Sequence, residues 1–202
     1  SITGYSWSST NNACYPDYTT LTAEQHCTSL DAYIWDESLN SGSGSCRSRH
    51  PSTCLEQKNF KGASENGDYT LYINQDITKP WTAYCYDMDS DFPKEYLTLQ
   101  NIGGSYNYSQ ITAHNYYVGT TVRTSFSKVR VDPDNMQILV NDYQFSSSTG
   151  SIDDGSITKA RFGQAGNCSH TSGYAGHGNI DLSGLPFKVS DSFSAYGYLP
   201  FG

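Results

Sequence analysis

The pattern of apolar and polar positions becomes regular only after the first third of the chain. Residues 1–50 show one clear signal, a capping-box pattern in which Thr22 is the N-cap and Gln25 reaches back to it. This pattern predicts a short helix whose apolar positions, at helical spacing, are Leu30, Tyr33 and Ile34. A second capping-box pattern at residues 53–56 predicts another short helix.

Beyond a turn at residues 65–68 the apolar positions follow a period of two, which is typical of strands. The predicted strands are 69–73, 81–86, 96–99, 127–131, 136–140, 157–162 and 178–182. The sequence DPDN at 132–135 is a strong turn signal and predicts a hairpin. The polar stretches 101–120 and 145–156 are predicted as loops. We therefore expect a mainly β fold of antiparallel sheets with one or two short N-terminal helices.

Charge and hydropathy narrow the set of partners. The 202 residues carry a formal net charge of −8, with 12 Lys and Arg against 20 Asp and Glu. Nucleic acid is excluded as a partner, because phosphate binding needs clustered basic residues. No stretch of about 18 apolar residues occurs, so membrane insertion is not expected. The 17 Tyr suit half-buried sheet faces and binding surfaces.

Cysteine usage points to a secreted, extracellular protein. The six cysteines form no CxxC pair and do not match the spacing of a zinc site, so three disulfides are expected. Six cysteines allow 15 pairings, and their spacing does not choose among them. Asn107-Tyr108-Ser109 and Asn167-Cys168-Ser169 are glycosylation sequons, which agree with secretion and predict glycans on Asn107 and Asn167.

Several sequence blocks resemble the GON domain, the C-terminal module of secreted ADAMTS-type metalloproteases. The blocks are GDYTL at 67–71, YCYDM at 84–88, PKEYLTL at 93–99, FSKVRVD at 126–132, MQI at 136–138, AGNC at 165–168 and GNIDL at 178–182. The resemblance covers about residues 53–190. It implies a division into a cystine-pinned N-terminal extension, residues 1–50, and a GON-like β domain, residues 51–202. The chain lacks the family's second Cys soon after Cys168 and its Gly- and Cys-rich C-terminal stretch.

Residues 53–88 also resemble the opening segment of fibrinogen-type domains, where a helix carrying a Cys leads to a strand carrying another. That resemblance implies a disulfide between Cys54 and Cys85. The remaining four cysteines supply two further bonds, which we expect to be Cys27–Cys46 and Cys14–Cys168.

The run Asp87-Met88-Asp89-Ser90-Asp91 is the best candidate metal site. Calcium prefers six to eight oxygen ligands, and Asp87, Asp89 and Asp91 with nearby carbonyls would supply them. The competing interpretation is a solvated acidic turn after a strand. Calcium is the one cofactor that the sequence suggests.

Aromatic residues in polar loops predict a ligand-binding surface. Tyrosine rings offer apolar faces with a polar tip, and histidine adds hydrogen-bonding nitrogens. The predicted ligand-binding residues are Tyr106, Tyr108, His170, Tyr174 and His177. His170 and His177 could alternatively join a metal site with Asp181, or lie on the surface without a ligand.

No catalytic residue is predicted. The sequence contains neither HExxH nor GxSxG, and paired cysteines would leave no thiol nucleophile. In the GON-bearing proteases a separate domain performs catalysis. The leading function is therefore non-catalytic recognition of glycans or extracellular-matrix glycoproteins, lectin-like and calcium-dependent. The alternatives are a secreted hydrolase with a carboxylate or metal centre, and a structural or defence protein without a small ligand.

Overall fold

The protein is mainly β, as the sequence pattern predicts. A computed structural model describes residues 5–8, 13–16, 22–28, 33–38, 40–114, 119–153, 155–168 and 174–189. The first elements are β1 (Tyr5–Ser8), β2 (Ala13–Pro16), α1 (Ala23–Thr28), β3 (Tyr33–Asp36) and β4 (Ser45–Ser48). β1 pairs with β2, and β3 with β4, both antiparallel. A disulfide between Cys27 and Cys46 joins α1 to β4.

The start of α1 is confirmed, but its predicted length is wrong. The backbone N–H of Thr22 donates to Gln25 Oε1 (2.9 Å), and the N–H of Gln25 donates to Thr22 Oγ1 (3.2 Å). The helix ends at Thr28, and Tyr33 and Ile34 lie on β3 instead. Two spaced apolar residues fit a strand as well as a helix, and their pairing with β4 decides the outcome. Leu30 lies outside the described residues.

The second helix, α2 (Cys54–Lys61), starts at the predicted N-cap. Thr53 Oγ1 accepts the N–H of Glu56 (3.0 Å), which satisfies one of the free donors of the first turn. Glu56 reaches one residue further back than a capping box requires and accepts from the N–H and hydroxyl of Ser52. A disulfide links Cys54 to Cys85, the expected pairing. Of the helices described, none is long and apolar enough to cross a membrane.

Ten further strands follow. They are β5 (Gly67–Tyr72), β6 (Pro80–Tyr86), β7 (Lys94–Thr98), β8 (Tyr108–Ala113), β9 (Val122–Phe126), β10 (Lys128–Asp132), β11 (Gln137–Ile138), β12 (Ser146–Thr149), β13 (Ala165–Cys168) and β14 (His177–Asn179). The first sheet has the strand order β11-β10-β7-β6-β5 and is antiparallel throughout. The second sheet has the order β12-β9-β8-β13, and β14 also pairs with β8.

The main core lies on the inner face of the first sheet. Alternate residues of its strands point to the same side, so Leu71, Trp81, Ala83, Leu97 and Val129 are all buried together. The buried Cys54–Cys85 disulfide holds α2 against this core. A smaller cluster under the second sheet consists of Ile111, Val122, Ile152 and Ala160.

The chain passes from one sheet to the other at Ser127. This residue separates β9 in the second sheet from β10 in the first. Its carbonyl accepts the N–H of Leu99, and its own N–H donates to the carbonyl of Phe145. Phe126, just before it, is buried in the main core. One continuous segment of chain therefore joins the two sheets, and Phe126 of the second sheet packs in the main core under the first.

Several predicted boundaries are wrong. The supposed loops at 101–120 and 145–156 contain β8 and β12, and the polar segment between 122 and 126 forms β9. The predicted strand at 157–162 makes only a single bridge, between Ile157 and Ile152. The predicted strand at 178–182 is replaced by the shorter β14. The hairpin around the turn at 132–135 is present, although β11 has only two residues.

Candidate ligand-binding face

The second sheet presents a row of polar side chains on the side away from its core. Within β8 and β9, the alternate positions Ser109, Ile111, Val122 and Thr124 are buried. The residues between them are half-buried and share the opposite side, because Gln110 pairs with Arg123 and Tyr108 with Ser125. We call this surface the outer face. Its members are Tyr108, Gln110, Thr112, Arg123 and Ser125.

Arg123 is the fixed centre of the outer face. Its guanidinium carbon lies 3.4 Å from the centroid of the Tyr108 ring, in cation–π contact. Nη1 donates to Gln110 Oε1 (3.2 Å), and Nη2 donates to the carbonyl of Gly104. These three contacts hold a long side chain in one orientation, so a ligand would meet a cation that is already positioned.

The edge beside β8 adds further polar groups to this surface. His177 on β14 is exposed and pairs with Gln110. Asn167 on β13 is exposed and pairs with Thr112. Thr112 Oγ1 donates to the carbonyl of Ala175 (2.8 Å), and Asn167 Nδ2 donates to the carbonyl of Tyr174 (2.7 Å). These bonds attach residues 174–175 to the end of the outer face.

The predicted ligand-binding residues that are described lie on or beside the outer face. Tyr108 belongs to it, and His177 lies at its edge. Tyr174 is stacked on His114, with ring centroids 3.4 Å apart and planes at 15°. Tyr106 is 49% exposed and forms a bridge with Gly103, in the loop that contacts Arg123 through Gly104. His170 lies outside the described residues. Whether any of these residues binds a ligand stays a prediction.

Asn107 contradicts the predicted glycan at this position. Its side chain is completely buried, and Nδ2 donates to the carbonyls of Asn101 (2.7 Å) and Asp181 (3.0 Å). Oδ1 accepts the N–H of Asp181 (2.8 Å). A glycan requires a solvent-facing amide nitrogen, and this one is enclosed and fully bonded. Asn167 is exposed, so its glycan stays a prediction.

The Asp181 carboxylate is also engaged in hydrogen bonds within the fold. Its carboxylate accepts the Ser183 N–H (2.9 Å) and the Asn101 amide (2.8 Å). These hydrogen bonds, that of Ser183 first, hold the pKa of the Asp181 carboxyl below its usual value.

The predicted calcium ligands do not converge. Asp87 has a positive φ of 67° and pairs with Lys94 (Oδ2 to Nζ, 3.1 Å). Its carbonyl accepts from the N–H and hydroxyl of Ser90, so the run 87–91 forms a turn. In the part of the chain that the structure describes, no three His, Cys, Asp or Glu side chains gather as a metal site would require. Asp89 and Asp91 are not brought to Asp87 as a ligand set.

The third predicted disulfide is not tested. Cys168 is half-buried on β13 and forms no disulfide within the described residues. The side chain of Cys14 lies outside them, so the pairing of Cys14 with Cys168 stays a prediction.

Part of the opposite side of the first sheet is covered. Phe145 packs edge-on against Tyr84, Tyr86 and Tyr96, with centroid distances of 5.5, 5.3 and 4.7 Å. The Tyr96 hydroxyl donates to Asp142 (3.1 Å), and burial, helped by that carboxylate, raises the Tyr96 pKa. Arg130 reaches the same carboxylate at 3.7 Å. The returning segment 139–145 therefore covers the outward side chains of β7, β10 and the end of β6.

Glu95 is a buried carboxylate that caps the start of α2. Oε1 accepts the N–H of Cys54 (2.7 Å), one of the free donors at the start of α2. Burial penalises the charged form and raises the Glu95 pKa above its usual value, and the hydrogen bond opposes this effect in part.

Sequence reasoning missed Gln110, Arg123 and Ser125, because their strands were predicted as loops or not at all. The buried positions between them include Ser109 and Thr124, which are small and polar. Thr124 Oγ1 accepts the N–H of Ala160 (2.8 Å), so its hydroxyl is satisfied inside. The signal available was the alternation of Val122, Thr124 and Phe126 with polar residues.

The fold and the outer face define a disulfide-stapled β domain with an exposed polar and aromatic surface. A family model of the GON domain matches residues 51–117 and 112–197. The chain is 32% identical over 164 residues to A disintegrin and metalloproteinase with thrombospondin motifs 20 of Homo sapiens, and 30% identical to that of Mus musculus. The chain therefore belongs to the GON domain family, as its sequence blocks predict.

Each of these alignments covers 69% of this chain and 8% of the relative, so the chain spans a small part of the relatives that it matches. No solved structure matches the chain. The GON domain is a non-catalytic module of ADAMTS-type proteins, which agrees with the absence of catalytic motifs in this sequence.

Proposed function

We propose that this chain is a non-catalytic recognition domain that works outside the cell and binds a glycan or an extracellular-matrix glycoprotein through its outer face. The observation that carries the proposal is the half-buried row formed by Tyr108, Gln110 and Arg123, with the exposed His177 at its edge. These side chains combine an aromatic ring with amide, guanidinium and imidazole groups on one side of a sheet.

The chemistry of this row suits a carbohydrate. A sugar presents many hydroxyl groups at fixed spacing, and each needs a donor or an acceptor when water is removed. Amide, guanidinium and imidazole groups supply both kinds of partner. Tyrosine contributes apolar area with a polar tip at little entropic cost, as at other recognition surfaces. Tyr106, exposed beside Arg123, adds a second ring.

The strand pairing around β8 supports a binding surface that is preorganised before the ligand arrives. β8 is paired on both edges, with β9 on one side and with β13 and β14 on the other. Thr112 and Asn167 tie down the adjacent segment 174–175. A surface held in this way loses little conformational entropy when a ligand binds.

An extracellular location is supported by the disulfides Cys27–Cys46 and Cys54–Cys85. Such bonds form and persist in oxidising compartments. The proposal does not depend on calcium, because no outer-face residue carries a carboxylate. Calcium dependence is therefore tested separately, with a chelator.

The test is binding of the full chain to a glycan array and to immobilised matrix glycoproteins, with and without a chelator. We expect binding that is lost in a variant carrying Tyr108→Ala and Gln110→Ala. The matched control carries Thr70→Ala and Thr82→Ala, two exposed residues that pair across β5 and β6 in the first sheet. Absence of binding to every glycan and glycoprotein, or equal loss in both variants, would reject the proposal.

A further inference from the structure

We propose that the outer face selects glycans that carry an anionic group, a carboxylate or a sulfate, and that Arg123 binds this group. The inference rests on the function proposed above and specifies the class of ligand.

The first observation is that Arg123 contacts only neutral groups in the part of the chain that the structure describes. The guanidinium contacts the Tyr108 ring, the Gln110 amide oxygen and the Gly104 carbonyl. Among the described residues it forms no ion pair, whereas Arg47 pairs with Asp36 and Arg130 with Asp142. A half-buried cation gains most from an acceptor that carries the opposite charge. The ligand is the natural source of that charge.

The second observation is that this guanidinium keeps free donors. Arginine has five N–H groups, and the two hydrogen bonds to protein acceptors occupy two of them. The planar fork of the remaining groups fits a carboxylate or a sulfate. Because Tyr108, Gln110 and Gly104 already fix the side chain, little rotamer entropy is lost on binding.

The third observation is the distribution of acidic residues. Residues 1–95 contain thirteen Asp and Glu against six Lys and Arg, whereas residues 96–131 contain no Asp or Glu. None of the five strands β8, β9, β12, β13 and β14 carries a carboxylate. The outer face is thus free of acidic residues in a protein of net charge −8.

The net negative charge does not prevent this binding. At physiological salt the Debye length is about 8 Å, so exposed acidic groups elsewhere on the surface are largely screened from the outer face. A ligand close to Arg123 experiences mainly the local charge.

The experiment compares three oligosaccharides of similar length on the full chain. They are a heparin oligosaccharide with sulfates and carboxylates, a hyaluronan oligosaccharide with carboxylates alone, and a neutral dextran. We expect at least one anionic ligand to bind more tightly than dextran and to weaken as salt rises. The first two arms separate sulfate from carboxylate as the recognised group.

Variants at two positions identify the cation. Arg123→Gln should weaken anionic binding about tenfold or more, since a contact to a charged group has that effect. Arg161→Gln, which removes an exposed arginine outside these strands, should change it little. Arg123→Lys should retain part of the binding, because the charge remains while the planar fork is lost.

A second pair of variants does not depend on removing Arg123. Ser125→Glu places a carboxylate two residues from Arg123 on the same face, and should weaken anionic binding about tenfold or more. Ser125→Gln is its neutral control and should bind like the wild type.

Equal binding of dextran and both anionic ligands, or equal effects of the charged and control substitutions, would overturn the inference. If only neutral glycans bind and Tyr108→Ala abolishes the binding, the inference fails while the proposed function stands. If none of the three oligosaccharides binds, the inference fails; if no glycan of the array and no matrix glycoprotein binds either, the proposed function fails as well.

Discussion

The two sheets use the same alternation of inward and outward residues, but their outward sides meet different surroundings. In the first sheet, Phe145 and Asp142 return over Tyr84, Tyr86 and Tyr96 and cover that part of the outward side. In the second sheet, the outer face receives no comparable cover among the described residues, and Arg123 is held there by neutral groups.

This difference teaches that the strands alone do not decide which surface is available for binding. Both outward sides contain tyrosine and an arginine. The segment that follows β11 covers one of them and supplies the carboxylate of Asp142 to Arg130. Arg123, on the other side, has no carboxylate partner among the described residues. The covered part of the first outward side contributes to stability, whereas we propose that the outer face of the second sheet serves recognition.

The largest expected effect concerns the disulfide that holds α2 to the first sheet. The double substitution Cys54→Ala and Cys85→Ala should lower the free energy of unfolding by about 3–4 kcal/mol, because the bond closes a loop of 31 residues. Chemical denaturation measures the change. The control removes Cys27 and Cys46, which join N-terminal elements, and should leave ligand binding by the outer face unchanged. Loss of that binding in the control would contradict the comparison.

The next effect concerns Asn107, which lies where the two sheets meet. Asn107→Ala should cost about 3 kcal/mol, since it leaves two carbonyls and one N–H without partners in a buried site. Asn167→Ala removes one exposed hydrogen bond and should cost about 1 kcal/mol or less. Thermal or urea unfolding compares the two. Mass spectrometry of the protein expressed through a secretory pathway that adds N-glycans should find none on Asn107.

Removal of the Phe145 ring, which packs over the first sheet, should lower the free energy of unfolding. Phe145→Ala should cost about 2 kcal/mol, below the range for a fully buried phenylalanine, because this ring is only half-buried. Phe92→Ala is the control, since Phe92 is 80% exposed and should change stability by less than about 0.5 kcal/mol. Equal effects of the two substitutions would show that segment 139–145 does not stabilise the sheet.

The buried carboxylate of Glu95 makes stability depend on pH. Burial raises its pKa in the folded state, so its favourable contribution is complete below the unfolded pKa and is lost as pH rises through the folded pKa. Relative to the wild type, Glu95→Gln should therefore become more stable as pH rises from about 4 to 7. Unfolding midpoints measured across that range test the sign. A difference that does not change with pH would contradict it.

The smallest effect is expected on the outer face itself. Ser125→Ala, and Ser147→Ala at the position that pairs with it on β12, should each change stability by less than about 0.5 kcal/mol, because Ser125 is only half-buried and Ser147 is exposed. Chemical denaturation provides the measurement. A cost above about 1 kcal/mol at Ser125 would mean that this face is packed against another part of the chain.

The first sheet could be predicted from sequence because its buried positions are apolar. Leu71, Trp81, Leu97, Val129 and Val131 produce a clear period of two, and the strands that contain them were found. The turn at 132–135 also has side chains that hydrogen-bond the local backbone, since Asp132 accepts from Asp134 and Asn135.

The second sheet could not be predicted in the same way. Ser109 and Thr124 occupy inward positions, where a polar residue breaks the hydrophobic pattern. Tertiary partners such as the N–H of Ala160 satisfy Thr124, and no local signal reveals them. The side-chain chemistry of Tyr108 and His177 predicts ligand binding, but only strand pairing places these residues beside Arg123.

The passage of the chain at Ser127 has a consequence for cooperativity. Opening the first sheet withdraws Phe126 from the core and removes the two backbone bonds that Ser127 makes to Leu99 and Phe145. The neighbouring hydrogen bond, from the Phe126 N–H to the carbonyl of Asn107, breaks with them. Because Asn107 directly precedes β8, this strand loses its attachment at that end. Amide protons in β8 and β10 should therefore exchange with solvent in one common event, rather than as two separate units.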